Sequence, residues 1–315
     1  MATTDLAIPA PRESLLRRLS DILLARRGFY VLLLLIPPLL WIGVVYIGSL
    51  IALLAESFFS IDDFSGVIVR QPTLKTYGEL FRPANLDVIV RTVSVATVVT
   101  LLSIIVAFPI AYYMARYARG RARPLLYLAI MLPLWSSYLV KVYAWKLLLA
   151  KEGAIGWVYD HLDLHGVIDW MLALPTIGGP SLSTSYIGMV VVFMYLWIPY
   201  MVLPMQAALE RVPGSLIEAA GDLGADPGQA FRTVILPLAL PGVVAGAIFT
   251  FSLTLGDYIV PSIIGPSSLI LGQVVYIQQG TAGNVPLAAA FAVVPILVMG
   301  VFLTVAKRLG AFDAL

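Results

Sequence analysis

Three ionisable side chains stand where the surrounding sequence is apolar: Lys141, Lys146 and Asp257. A charge inside a bilayer is costly, so it normally faces a cavity, a partner charge or the headgroups. Asp257 follows Gly256 and is a carboxylate suited to a cationic amine; in a structural role it would pair with Lys141 or rest at the interface beside the Gly256 break. The lysines have stems long enough to snorkel to the membrane surface. Trp135, Tyr138, Tyr143, Trp145, Tyr195, Trp197 and Tyr258 belong to the same level. Such rings anchor spans at interfaces and also build cages that recognise ammonium groups. Trp135 and Tyr138, three apart, are expected to share a helix face with Val142 and to form the favoured pair. Pro133, Pro199, Pro204 and Pro261 offer helix breaks of the kind transporters use.

Other chemistries lack their residues. The absence of cysteine excludes disulfides, thiolate metal sites and cysteine nucleophiles. No Gly-x-x-x-x-Gly-Lys-Ser/Thr loop occurs, so the chain has no such means of binding and hydrolysing ATP. His161 and His165 are four apart near Asp160, Asp163 and Asp169, but no zincin glutamate accompanies them and no metal site is expected. Catalytic groups do not cluster near one interface, which argues against a membrane-embedded enzyme. The net charge is only +2, and the basic residues occupy loops, so nucleic acid is not an expected partner.

The elements that must hold Asp257 and its neighbours are membrane spans. Of 315 residues, 60% are hydrophobic and 12% charged, against roughly 45–50% and about 25% in soluble domains. Phe29–Ala55, Thr92–Ala115 and Tyr258–Ala306 carry no charge, and a helix crosses the hydrocarbon core with about 20 apolar residues. Cutting at Pro, Gly and polar clusters predicts an all-α membrane protein of six transmembrane helices, approximately 29–55, 88–115, 124–150, 186–209, 241–264 and 287–306. The first is too long for a cleaved signal peptide and reads as a retained span. Residues 265–286 are expected to form an aqueous loop between the last two spans. On a continuous third helix Lys141, and on the fifth Asp257, would lie about 25 Å from the cytoplasmic end.

Lys and Arg prefer the cytoplasmic loops. Arg12, Arg17, Arg18, Arg26 and Arg27 precede the first span; Arg116, Arg119, Arg121 and Arg123 fill the next loop on that side; Arg211, Arg232, Lys307 and Arg308 keep the phase. Both termini are therefore expected inside. The acidic loops 56–87 and 151–183, with Asp62, Asp63, Asp160, Asp163 and Asp169, are expected outside. Residues 1–28 read as a basic amphipathic leader, either lying on lipid or touching a partner, ahead of a permease domain over 29–315.

The cytoplasmic loop 211–240 carries the most specific pattern. Ser215 and Glu218 have capping-box spacing; Gly224 is placed to end that helix left-handed; Asp226 caps a second helix opening with Pro227, and Pro237 is expected to end it. Leu216, Ala219, Ala220 and Leu223 share a face, to dock another protein or to pack against the chain's own helices. Glu218-Ala219-Ala220, three residues, Gly224, nine residues, Val234, one residue and Leu236-Pro237 resemble the signature of permease subunits of binding-protein-dependent ABC importers, with Val234 in place of Ile. The resemblance runs from about Phe29 to the C terminus. Leu132–Trp145 and Trp197–Pro204 look like the spermidine/putrescine permeases above all.

The resemblance implies a type I importer fold and a coupling helix seated in a groove of an ATPase. It also implies a second homologous permease, two cytoplasmic ATPase subunits that carry ATP and Mg, and an extracytoplasmic solute-binding protein. This chain would bind no cofactor and catalyse nothing itself. The place would be a bacterial inner membrane, and the solute a polyamine or a related small cation. An opine or another small organic solute is the alternative within the same architecture. A secondary transporter driven by an ion gradient would predict inverted repeats, which the sequence lacks.

Overall fold

The computed structural model describes residues 27–308 apart from 63 and 164. The leader expected over 1–28 and the acidic Asp63 therefore fall essentially outside the described residues. By its contacts the chain forms two units, one up to Ala55 and one from Glu56 onward.

The first unit is a single span built from α1 (Arg27–Leu40), a π-helical stretch at Trp41–Ile47 and α2 (Gly48–Glu56). Pro37 and Pro38 lie inside α1. Each proline removes an amide donor and crowds the carbonyl one turn back, and the wider turn follows directly after them.

The second unit begins with a small antiparallel hairpin, β1 (Ser60–Ile61) and β2 (Ile68–Val69), in which Ser60 pairs with Val69. Its turn is closed by Asp62, whose Oδ1 accepts from the amides of Phe64 (3.0 Å) and Ser65 (2.8 Å) and from the Ser65 hydroxyl (3.0 Å). The bonds from Ser65, foremost its amide, hold the Asp62 carboxyl below the ordinary value of 3.8. Next come α3 (Lys75–Leu80), α4 (Pro83–Arg116), α5 (Ala122–Trp135), α6 (Tyr138–Leu148), α7 (Ala154–His161) and α8 (His165–Leu172). They are followed by α9 (Tyr186–Arg211), α10 (Gly214–Asp222), α11 (Pro227–Ala230), α12 (Leu236–Gly256), α13 (Ile259–Ile263), α14 (Leu271–Gln279) and α15 (Val285–Arg308).

Among the described residues five helices are long and apolar enough to cross a membrane, six when the bent pair α5–α6 counts as one. The core is α4, α9 and α12. At one end Val95, Val99, Val142, Phe193, Leu196 and Trp197 meet; toward the other Ala107, Ala111, Met114, Met201, Met205 and Leu209 do. Apolar side chains gain little from leaving lipid, so contact quality and close backbone approach must supply the association. Gly242 and Gly246 provide that approach on α12: a Cβ at the first would lie 2.5 Å from the Ala208 Cβ, and at the second 2.7 Å from the Met201 sulfur. This is the small-x-x-x-small spacing of packed membrane helices.

Four sequence expectations change. The third span is not one helix: Ser136 and Ser137 take extended backbone, and α5 and α6 meet at 98°. Pro133 cannot donate within the last turn of α5, and the two serines follow where the helix is already weakened. Residues 265–286 are not simply a loop, since α14 lies there, with Leu271 and Val274 packed against Leu287, Ala290 and Phe291. Pro237 does not end a helix. A π-helical stretch at Phe231–Ile235 takes up its crowding, and one span runs over Pro227–Gly256. Pro199 and Pro204 also leave α9 unbroken.

Candidate functional site

Asp257 sits at the second break in the bundle. α12 stops at Gly256, Asp257 is extended (φ −75°, ψ 133°), and the short α13 follows. The Val260 amide donates to Asp257 Oδ1 at 2.8 Å, so the carboxylate caps the new helix. The Tyr138 hydroxyl, in the first turn of α6, donates to Oδ2. The breaks of the third and fifth spans are thereby tied through one carboxylate. A carboxylate accepts about four hydrogen bonds, so Asp257 keeps acceptor capacity. Gly272 of α14 lies so close that a Cβ there would stand 2.5 Å from the Asp257 carbonyl oxygen, which fixes the unwound backbone from behind.

Aromatic rings extend from this point. Tyr138 stacks on Trp197 (centroids 6.0 Å, 16°), which stacks in turn on Phe193 (6.5 Å, 21°) and meets Tyr200 edge-on (6.0 Å). The Trp197 indole nitrogen is buried and finds no acceptor among the described residues. On the other side Tyr258 stacks on Tyr276 at 4.9 Å, beside a cavity of about 300 Å³ lined by Gly256, Gly272, Val275, Gln279 and Pro295.

The expected pairings are rearranged. Trp135 does not share a face with Tyr138 and Val142, because the chain turns between residues 135 and 138; Trp135 is 74% exposed, while Tyr138, one turn before Val142 on α6, packs on Trp197. Lys141 does not pair with Asp257. Its ammonium donates to the Pro133 carbonyl at 2.8 Å, so a cation caps the C-terminal end of α5, where the helix dipole favours it. Lys146 and Tyr143 are exposed on α6, and Tyr195 meets Trp145 at 5.0 Å. Phe193, Tyr200, Gly272 and Tyr276 were not singled out from the sequence. Only Gly272, a glycine inside an apolar helix, carries a local hint of its role.

The 211–240 segment is built as two short helices with a sharp joint. Gly224 has φ +85°, and the Ala225 amide donates to the Ala220 carbonyl at 2.9 Å, which closes α10 in a Schellman turn. Asp226 Oδ1 accepts from the amides of Gly228 (2.7 Å) and Gln229 (2.9 Å), and Gln229 Oε1 accepts from the Asp226 amide, a complete capping box with Pro227 at the first helical position. The box expected from Ser215 and Glu218 is absent. α10 starts at Gly214, one residue earlier, from an extended Pro213 (φ −65°, ψ 134°), so Ser215 is already helical. Leu216, Glu218, Ala219 and Leu223 are exposed and Ala220 half-covered; Leu223 is 89% exposed, while Ile217 alone of this helix leans on the core. Val234 is half-buried in the π-helical stretch, and Leu236 and Pro237 are exposed at the start of α12.

A helical bundle with two broken spans joined at a carboxylate, and an uncovered helical knob between two spans, is the architecture of a transporter's membrane subunit. Residues 100–312 match the family model described as "Binding-protein-dependent transport system inner membrane component", and the chain belongs to that family of ABC importer permeases. It is a multi-pass inner-membrane component and a non-catalytic subunit, working with an ATPase and a binding protein. It is 51% identical to the "Inner membrane ABC transporter permease protein YdcU" of Escherichia coli (strain K12), over 98% of both chains. It is 30% identical to the "Spermidine/putrescine transport system permease protein PotB" of the same organism, over 89% of this chain and 94% of that one. Among solved structures, a chain of the bacterial alginate ABC transporter in complex with its alginate pentasaccharide-bound periplasmic protein superposes with a TM-score of 0.66 at 13% identity, covering 95% and 98% of the two chains. That likeness is one of fold.

Proposed function

We propose that this chain lines half of the pathway of an ABC importer for a polyamine such as spermidine or putrescine, or for a related small cationic organic solute. The observation that carries the reading is Asp257: a carboxylate with acceptor capacity to spare, on unwound backbone, beside stacked aromatic rings. A carboxylate attracts an ammonium group, and ring faces stabilise one through cation–π contact. The relationship to a spermidine/putrescine permease over most of both chains points the same way.

In this reading both termini and residues 211–240 face the cytoplasm. The exposed face of α10, with Leu216, Glu218, Ala219, Ala220 and Leu223 held between Ser215 and the Gly224–Asp226 joint, enters a groove of one of two ATPase subunits. Val234, Leu236 and Pro237 connect that contact to α12. A second, homologous permease completes the pathway. The binding protein docks on the outer segments 56–87 and 151–183, ATP closes the ATPases, and the displaced α10 opens the bundle outward. Solute then passes Asp257 and the neighbouring Tyr138 and Tyr258. Lys141 and Trp135 serve the α5 end rather than the solute.

The test is a thermal-shift series on the cognate binding protein with polyamines, opines and sugars, followed by uptake into proteoliposomes holding the full complex. Polyamines are expected to raise its melting temperature and to be taken up with ATP. A binding protein that ignores amines and responds to opines or sugars ends the polyamine reading and leaves the importer architecture standing.

A further inference from the structure

The third span is built as an arm held at a few points. Its first helix, α5, begins just past Gly120, a left-handed residue at φ +55°, and ends at the extended Ser136 before the 98° turn. No residue of α5 is fully buried; Leu126, Tyr127 and Ile130 lean half-covered on the core. Such a helix, thinly packed along its length and bounded by changes of backbone conformation, is suited to move as a unit.

A polar network grips it near the Gly120 end. Arg123 of α5 is ion-paired with Glu210 of α9. Gln206, one turn back on α9 and only 1% exposed, donates one amide hydrogen to the Tyr127 hydroxyl and the other to Glu210 Oε1 at 2.6 Å. The Tyr127 hydroxyl also faces Glu210 Oε1 at 3.5 Å. One carboxylate oxygen thus gathers groups from two helices. Beside it Arg116, at the end of α4, donates to the Val212 carbonyl at 2.8 Å. α9 passes from Glu210 through Val212 and Pro213 directly into α10, so a displacement of α10 acts first on the turn that holds Glu210.

We propose that Arg123 and Tyr127 of α5, with Gln206 and Glu210 of α9, form a latch that ties the movement of the third span to the displacement of α10. The inference deepens the reading of α10 as the ATPase contact and rests on it. Nitrogen-to-oxygen hydrogen bonds fall within about 2.7–3.2 Å, so a shift of Glu210 by about an ångström parts it from Arg123 of α5. Arg123 and Glu210 are 48% and 30% exposed, which lets water take over each when they part and makes the latch reversible. Released, α5 is free to swing about Gly120 and Ser136, and the Lys141 ammonium bonded to the Pro133 carbonyl passes that swing to α6, and so to Tyr138 and its contact with Asp257. These four are positioning residues and need not touch solute.

The experiment uses the full complex in proteoliposomes, with the binding protein and putrescine as probe, and reads solute taken up per ATP hydrolysed. Arg123→Ala and Glu210→Ala are expected to retain ATPase association and hydrolysis while that ratio falls about tenfold, within the range of coupling changes seen for residues remote from ligand. The double exchange Arg123→Glu with Glu210→Arg is expected to recover at least half of it. A brace with no part in coupling would lower the amount of assembled complex and leave the ratio unchanged. That result, or an exchange no better than the single variants, overturns the latch.

A second readout is independent of activity. Because the chain lacks cysteine, spin labels on cysteines placed at the exposed Leu128 and Ala207 report the α5–α9 distance. Two distances, for nucleotide-free and ATP-bound complex, are expected; one distance in both states overturns the latch. A wild-type complex that binds no ATPase through α10 removes the underlying reading and the latch with it, an outcome distinct from uncoupled hydrolysis.

Discussion

Asp257 uses one oxygen to cap α13 and the other to receive the Tyr138 hydroxyl, so its charge and its hydrogen bonds can be separated experimentally. Asp257→Asn keeps the shape and removes the charge. A hydrogen bond to a charged group is worth about 1.5–3 kcal/mol, so uptake of a cationic solute is expected to fall at least about tenfold. Tyr138→Phe leaves the charge and is expected to cost less. Initial uptake rates of a diamine and of a neutral analogue compare the two; equal losses for both solutes would assign Asp257 to structure alone. Asp62, in the 60–69 hairpin, gives a pH prediction. Its folded carboxyl titrates below 3.8, so the turn is stabilised above the unfolded value and loses that contribution as pH falls through the lowered one. Exchange protection of the Phe64 and Ser65 amides should therefore persist down to about that ordinary value and fail only below it, whereas Asp62→Ala should lose it at every pH.

At the scale of elements, the spans were legible because hydrophobic length and loop charge are physical requirements of the bilayer. The Gly224–Asp226–Pro227 joint was legible because each residue there answers a local backbone need. The 98° turn was less so, since Lys141 and the aromatic run read equally well on one long helix; the only local signal was Pro133 followed by Ser136-Ser137. Tyr138 against Trp197, and Gly272 against Asp257, join residues far apart in the chain, and no local pattern announces such contacts. Gly246→Leu must displace Met201 across the α9–α12 contact. Overpacking of this kind costs about 1–3 kcal/mol or more, and the purified subunit should melt several degrees lower, with less of it reaching the membrane. Gly224→Val forces a β-branched residue to φ +85°, at about 1–2 kcal/mol. Insertion should be normal and ATPase copurification reduced.

As a whole molecule the chain is a conduit in need of a motor. Reconstituted alone it should neither hydrolyse ATP nor admit solute; with a second permease, the ATPases and a loaded binding protein it should do both, as a coupled uptake and phosphate-release assay would report. The broken third span adds a different consequence. α5 has 14 residues and α6 has 11, or about 21 Å and 16 Å at ~1.5 Å per residue, against a hydrocarbon core about 30 Å thick. Neither half is long enough to cross a bilayer alone, and the Pro133 carbonyl freed at the turn is met within the protein by the Ser136 hydroxyl and the Lys141 ammonium. A segment shorter than the hydrocarbon core is accommodated by local thinning of the bilayer or by association with protein. Reconstitution in lipids of different chain length is therefore expected to change where α5 and α6 come to rest.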